Sequence, residues 1–390
     1  MDANGASDCD ALIVGAGPAG SHLGYLLAAR GHRVAIIDRA RFPRDKVCGG
    51  GVSRKAIDLL GLDLGRVAHR WVSTAVLTYA NRDSIVKEMP APIACTVVRS
   101  EFDALLLDRA CGAGATFFPE TSFVDASTGR DAVTVATTRG RFRCRLLFAA
   151  DGSASAVRGR MFGKALVRYA PSLEALVELA DADMERFADR AVFDFGAMPN
   201  GYGWIFPKRD HVNVGVYSPW AGRGLREQLA AFMACYRGLA RPRGTLTKGS
   251  VIPLANVRGD FQRGRTWLVG DAAGLAEALF GEGIYFALKS AEIAARAIAA
   301  DGFADGSRRY TALLRRELLP ELRAAARMAG LMYRFQRFAF THLTLNPQIN
   351  DNFAGLISGA VGYGDCLQRT LRELPRWLLP TRAATVLAGL

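Results

Sequence analysis

Residues 10–39 read "DALIVGAGPAGSHLGYLLAARGHRVAIIDR", and this stretch decides the fold. Residues 10–14 form a short apolar strand. Gly15, Gly17 and Gly20 follow as G-x-G-x-x-G, and apolar residues then recur at helical spacing until Gly31 ends the helix. A second strand, residues 34–37, ends in Asp38, 18 positions after Gly20. The first glycine permits a tight turn, the second lets the backbone approach a pyrophosphate, and the third lets helix and strand pack closely. The helix N-terminus offers free N–H groups and a positive dipole end to phosphates, and Asp38 is placed to accept from a ribose hydroxyl. The glycines alone are weak evidence; in a strand–turn–helix–strand–acid setting they predict a bound dinucleotide.

Two later stretches extend the pattern. Residues 265–299, "RTWLVGDAAGLAEALFGEGIYFALKSAEIAARAIA", contain a strand over 267–269 that ends in Gly270-Asp271. A second glycine group, Gly281-Glu282-Gly283, then opens a long helix at Ile284 and repeats the anion-binding arrangement. Between them, "LLFAADGSASAVR", residues 146–158, puts Asp151-Gly152 after an apolar strand. Each acid–glycine pair alone reads as a turn; the order G-x-G-x-x-G, Asp-Gly, Gly-Asp is more specific. It resembles flavoproteins of the p-hydroxybenzoate hydroxylase type. That resemblance implies FAD, with its pyrophosphate on the first motif and its ribityl chain near Gly270 and Asp271. Asp151 would serve both FAD and a transient NAD(P)H, which needs no second fingerprint. It also implies an arginine near FAD, matched by Arg99 in "VVRSEFDALLLDRA", residues 97–110, where Ser100 is expected to cap a helix with Asp103 three residues later. A solvated first-turn arginine is the other reading. Arg39, next to Asp38, joins the cofactor-binding candidates.

Three features narrow the choice. The first is "FPRDKVCGGGVSRKA", residues 42–56; the second is "GYGWIFPKRDHVNVGVY", residues 201–217, with Y-x-W-x-F-P and then Gly215; the third is "FGEGI", residues 280–284. Together they resemble the geranylgeranyl reductase family, flavoenzymes that saturate isolated double bonds in prenyl chains, over roughly residues 8–300. Two departures fall on the substrate side: Tyr217 replaces an expected glycine, and Leu279-Phe280 replaces a proline before the late glycine group. Halogenases of the same superfamily carry a related stretch.

Three consecutive glycines cost conformational order and persist where something large lies against the main chain. An isoalloxazine ring would suit Gly49, Gly50 and Gly51, which carries Cys48 to the flavin's side of the pocket. Arg44 and Lys46 are near enough in sequence to favour its thiolate; a small buried hydrophobe is the alternative reading. Tyr202, Trp204 and Phe206 fall at period two on one strand face, as a packed ladder, a pocket wall or both. Residues 208–211 read as a hairpin turn, His211 included.

The 390 residues, half of them hydrophobic, are enough for two or three domains. The expected fold class is α/β: a Rossmann-like FAD-binding domain in three pieces (8–75, 93–165 and 255–300), an antiparallel substrate sheet (76–92 and 166–254) and a helical region over 305–390. The net charge of +13 comes mostly from arginine, with seven lysines among the 50 basic residues. This reads as an anionic partner or as codon composition, and no basic run points to nucleic acid. Seven cysteines without a C-x-x-C pair argue for a reducing, cytoplasmic compartment, and five scattered histidines show no metal-ligand spacing. No apolar run approaches the ~18 residues of a membrane helix. The closing "ELPRWLLPTRAATVLAGL", residues 373–390, reads as a helix packed on its own domain or lying on a membrane surface. The function expected is NAD(P)H-driven reduction of carbon–carbon double bonds in a large apolar substrate, with Cys48, Tyr202 and Trp204 as catalytic candidates. Flavin monooxygenase chemistry is the second reading; a flavin-bound redox sensor finds no supporting segment. Oligomeric state is not legible.

Overall fold

The computed structural model describes residues 6–163, 167–220, 224–239, 242–255, 259–303 and 308–373. The expected first strand starts earlier, at Ala6, and runs to Val14, because it pairs in parallel along its length with Gly140–Ala149. On its other side lies Val34–Ile37, followed by Thr116–Phe118; Thr266–Leu268 pairs beyond Gly140–Ala149. Where they pair, the stretches 11–14 (ALIV), 34–37 (VAII) and 146–149 (LLFA) are continuous runs of Val, Ile, Leu, Ala and Phe, as befits a sheet covered on both faces. The chain leaves Ala6–Val14 to one side and returns on the other, so a crevice opens where the strand order reverses.

Helix Pro18–Ala28 starts with Gly17 as its cap and Pro18 in the first turn, where the missing N–H costs nothing. The long helix Ile284–Asp301 packs beside it through a row of buried alanines, including Ala287, Ala291 and Ala294. Gly270 (φ +57°) fits under that contact: a Cβ there would lie 2.9 Å from the Ala19 Cβ and 3.2 Å from that of Ala287.

A seven-stranded sheet runs in the order Gly244–Leu254, Arg168–Glu178, Val212–Tyr217, Tyr202–Pro207, Arg190–Asp194, Thr74–Tyr79 and Asp83–Glu88. It is antiparallel apart from Arg190–Asp194 against Thr74–Tyr79, which run parallel. The sequence reading missed this pairing because those strands are separated by residues 80–189, a connection long enough for a parallel crossover. A small sheet of Gly51–Ser53, Ala94–Val97 and Ala68–Val72 joins the two.

The end of the described chain is helical: Arg309–Leu313, Leu319–Arg334, Gln336–Leu345, Pro347–Ser358 and Tyr363–Glu373. A π turn, Leu314–Leu318, precedes Pro320, whose ring removes one N–H from the helical ladder and crowds the carbonyl four residues back. No helix among the described residues is long and apolar enough to cross a membrane. The membrane-surface reading of the C-terminal stretch falls on residues 374–390, outside the described residues.

Candidate active site

The glycine loop after Val14, Asp38 after Ile37, Asp151 after Ala149 and Asp271 after Leu268 all sit at the carboxyl ends of parallel strands. They line one side of a cavity of about 580 Å³ that reaches across to the seven-stranded sheet. Gly15, Gly17, Asp38, Arg39, Cys48, Gly49, Gly50, Arg99, Asp151, Asp271, Gly281, Gly283, Ile284, Tyr202 and Trp204 line it; Gly20 and Gly270 do not. Those two act in packing: a Cβ on Gly20 would lie 1.9 Å from the Gly15 carbonyl oxygen.

Around the first loop the fit to a dinucleotide rests on three observations. A Cβ on Gly17 would meet only the Arg44 guanidinium, at 3.6 Å, so the loop backbone is open on that side. Arg44 spends Nη2 on Asp103 at 3.0 Å, while its Nη1 is buried without a partner and so available to an anion. The Asp271 carboxylate accepts no hydrogen bond among the described residues although it faces the cavity, and burial pushes it above its ordinary range. Asp38 accepts from Ala16 N (2.8 Å) and Ala40 N (2.9 Å), which fixes the loop and leaves one lone pair on each oxygen for a sugar hydroxyl. The Asp151 carboxylate faces the helix Ala156–Phe162, accepting from Ser155 Oγ (2.5 Å) and Val157 N (3.2 Å).

The charge arrangement near Cys48 differs from the sequence reading. Arg44 is bound to Asp103 and Lys46 faces Asp271; the cations interacting with Cys48 are Arg99 and Lys208. Ser100 caps nothing: helix Arg99–Gly112 has its cap two residues earlier, at Val98, and Asp103 accepts both Arg99 Nε and Nη2 at 2.8 Å. A fully buried carboxylate between two arginines wins over a half-buried capping hydroxyl. Burial pulls the Arg99 guanidinium down, but Asp103 and Cys48 beside it together more than compensate.

The Gly49–Gly51 loop lines the cavity, and the space a Cβ would take at each glycine is already filled by the protein. A Cβ on Gly49 would stand 3.0 Å from Trp204 Nε1 and 3.3 Å from Phe206; on Gly51, 3.3 Å from Phe206. The expected neighbour was a flavin ring, and the aromatic strand occupies this side of the loop. Tyr202, Trp204 and Phe206 share a face, with ring centroids 6.0 and 6.3 Å apart, and Phe193 and Phe280 extend the wall. Gly215 is obligatory, since a Cβ would lie 2.1 Å from the Trp204 ring. Tyr217, in place of the expected glycine, lies beside Tyr202 (5.8 Å) and donates to Ala278 O at 3.0 Å, narrowing this part of the cavity.

Three buried charged residues escaped the sequence reading. Lys208, assigned to a turn, is 2 % exposed and donates to the carbonyls of Gly49 (2.9 Å), Gly50 (3.4 Å) and Val97 (3.0 Å). Burial pushes it down to about 8 against the opposing pull of Cys48, Glu174 and Cys95. Glu174 accepts from Cys48 N (3.2 Å), and burial raises it. It also bonds Asn213, whose Oδ1 accepts from Trp204 Nε1 at 2.7 Å. Glu277 gathers the amides of Leu279 (2.6 Å), Phe280 (2.7 Å) and Glu282 (2.9 Å), and burial raises it to about 7. A charge inside the otherwise apolar alternation of Arg168–Glu178 was the available signal for Glu174; Glu277 carried none.

Residues 8–188 match the FAD binding domain family. The chain is 31% identical to the chloroplastic geranylgeranyl diphosphate reductase of Oryza sativa subsp. japonica over 322 residues, 76% of this chain and 67% of the relative. This chain belongs to the geranylgeranyl reductase family. It is an FAD-dependent oxidoreductase. Another relative, the menaquinone reductase of Mycolicibacterium smegmatis, is 29% identical over 83% of this chain and 84% of its own. The fold matches a geranylgeranyl bacteriochlorophyll reductase-like crystal structure from Thermoplasma acidophilum, with TM-score 0.76 at 19% identity over 98% of this chain and 100% of that one. It also matches the FAD complex of a variant of the halogenase PltM, with TM-score 0.72 at 16% identity over 98% and 85%. The α/β architecture of a geranylgeranyl reductase family member and its cofactor are thus as the motifs implied.

Proposed function

We propose that this geranylgeranyl reductase family member reduces isolated carbon–carbon double bonds in a prenyl or similarly large apolar substrate, with NAD(P)H as reductant. The observation that carries the reading is Cys48 at the junction of the cofactor-facing loops with a wall of five aromatic residues, Phe193, Tyr202, Trp204, Phe206 and Phe280. The relatives' names, a prenyl diphosphate reductase and a quinone reductase, support the substrate class. We assign the cofactor side to 8–75, 93–165 and 255–300, the substrate sheet to 76–92 and 166–254, and a helical cover to the described part of 305–390, residues 308–373. A prenyl chain partitions into bilayers, so this reading includes peripheral contact with an anionic membrane by a chain of net charge +13.

FAD, when bound and reduced, supplies the hydride. Gly17, Arg44, Asp38 and Asp271 would hold it at the strand ends. An isolated alkene accepts hydride poorly, so its other carbon needs a proton early, and Cys48 Sγ holds that proton. The faces of Trp204 and Tyr202 stabilise the electron-poor carbon. Both rings are buried and the surrounding wall is apolar, which excludes water and confines the chain to a reactive alignment.

The test is anaerobic. Flavin reduced with NADPH or NADH is mixed with a polyprenyl diphosphate or a prenylated quinone, its reoxidation is followed, and the product is weighed. A gain of two hydrogens is expected; a gain of one oxygen under air, with no anaerobic turnover, would replace the reading with monooxygenation. Cys48→Ser should keep FAD and slow anaerobic reoxidation at least tenfold, about 1.4 kcal/mol.

A further inference from the structure

We infer that Lys208 is the positioning residue for Cys48, acting through a single peptide group. Its ammonium binds the carbonyl of Gly49 at 2.9 Å, and the N–H of Gly50, the other end of that same peptide, donates to Cys48 Sγ at 3.4 Å. The peptide is planar, so fixing its carbonyl aims its N–H. A cation on the carbonyl polarises the unit and strengthens the donor at its far end, as along any hydrogen-bond chain. Negative charge left on sulfur after proton transfer is therefore met by an oriented dipole backed by a cation.

Three further observations support the assignment. Lysine is almost never fully buried unless paired, yet no ion pair to Lys208 is found among the described residues; its partners are three carbonyls. Three donors on a compact ammonium suit three converging oxygens, which a planar guanidinium does not, and this chain uses lysine for only seven of its 50 basic residues. Gly50 sits at φ +65° with its missing Cβ 2.8 Å from Lys208 Nζ and 2.1 Å from Val97 O, so the loop is shaped around the ammonium. Glu174 accepts the Cys48 N–H at 3.2 Å, and Arg99 faces the thiol as well, so the loop carries one buried carboxylate and two cations.

The inference rests on the proposed role of Cys48, and its test needs no prenyl substrate. Holoenzyme is treated with limiting iodoacetamide at pH 7.5, and alkylation of each cysteine is timed by peptide mass mapping. The exposed Cys111 and Cys235 serve as internal references. Because the thiolate is the reacting form, Lys208→Met should slow labelling of Cys48 by about tenfold with the references unchanged and FAD retained. Lys208→Gln keeps a donor in the carbonyl cage without the charge, and should slow it by at least about threefold. Unchanged Cys48 labelling, or equal slowing at all three cysteines, would overturn the inference. So would loss of FAD from both variants, since Lys208 would then serve the fold rather than the thiol. If labelling responds as stated while Cys48→Ser leaves alkene reduction intact, the Lys208–Cys48 linkage stands and the proton-donor role of Cys48 in the proposed function fails.

Discussion

The molecule has two glycine loops on the same cavity, and they need their glycines for opposite reasons. In Gly15–Gly20 the first and third glycines permit backbone-on-backbone contact: a Cβ would meet Ala150 O at 2.3 Å from Gly15 (φ +102°) and Gly15 O at 1.9 Å from Gly20. The second, Gly17, faces open space beside an arginine with an unpartnered donor. In Gly49–Gly51 no position is open, because Trp204, Phe206, Val97 and Lys208 fill each missing side chain's place. The same residue type marks a place kept for a ligand in one loop and a place occupied by the protein in the other.

Substitutions separate these cases. Gly20→Val should have the largest effect: backbone atoms cannot give way by an ångström, so a loss on the order of 4 kcal/mol or more is expected, and the purified protein, if any, should be colourless and melt early. Next comes the Gly281–Gly283 group, held by Glu277. Burial raises this acid from its usual 4.5 to about 7, so its protonated form stabilises the fold below pH 4.5 and that contribution is lost as pH rises through about 7. Glu277→Gln cannot ionise and should flatten Tm against pH between 4.5 and 7, by an amount on the order of 3 kcal/mol at most. An unchanged slope would show that Glu277 does not titrate there.

The sharpest contrast pairs Gly17→Ala with Gly49→Ala. Gly17 has φ −75°, which alanine adopts freely, so the FAD-free protein should melt as the parent does while FAD affinity falls at least about tenfold, or 1.4 kcal/mol. Gly49→Ala should do the reverse, retaining FAD in titration while losing about 1–2 kcal/mol of stability as Trp204 and Phe206 shift. If both variants lose FAD and keep stability, a ligand lies against both loops and the distinction drawn here is wrong.

Much of the cofactor side was legible in sequence because its requirements are local. A turn, a cap and a helix dipole are specified within the 30 residues 10–39, and Asp38, Asp151 and Asp271 each lie within three residues of their strand's end. The aromatic face of Tyr202, Trp204 and Phe206 was legible for the same reason, since period two along one strand decides it. Lys208 read as a turn because it is in one: its N–H bonds His211 O at 2.7 Å. Only its side chain leaves the turn for the interior.

The sequence alone determined that a strand–glycine–helix unit would bind a dinucleotide, that the acid–glycine pairs would follow in family order, and that a thiol would sit beside a glycine run. Tertiary structure alone decided what touches that run and which charges face the thiol. Arg44, four residues from Cys48, is turned away to Asp103, whereas Lys208 and Glu174, 160 and 126 positions distant in the chain, converge on the Cys48–Gly50 loop. Hydrogen-bond reach is a few ångströms in space, and the sheet register, Trp204 opposite Gly215 and Asn213 opposite Phe206, brings those residues within it.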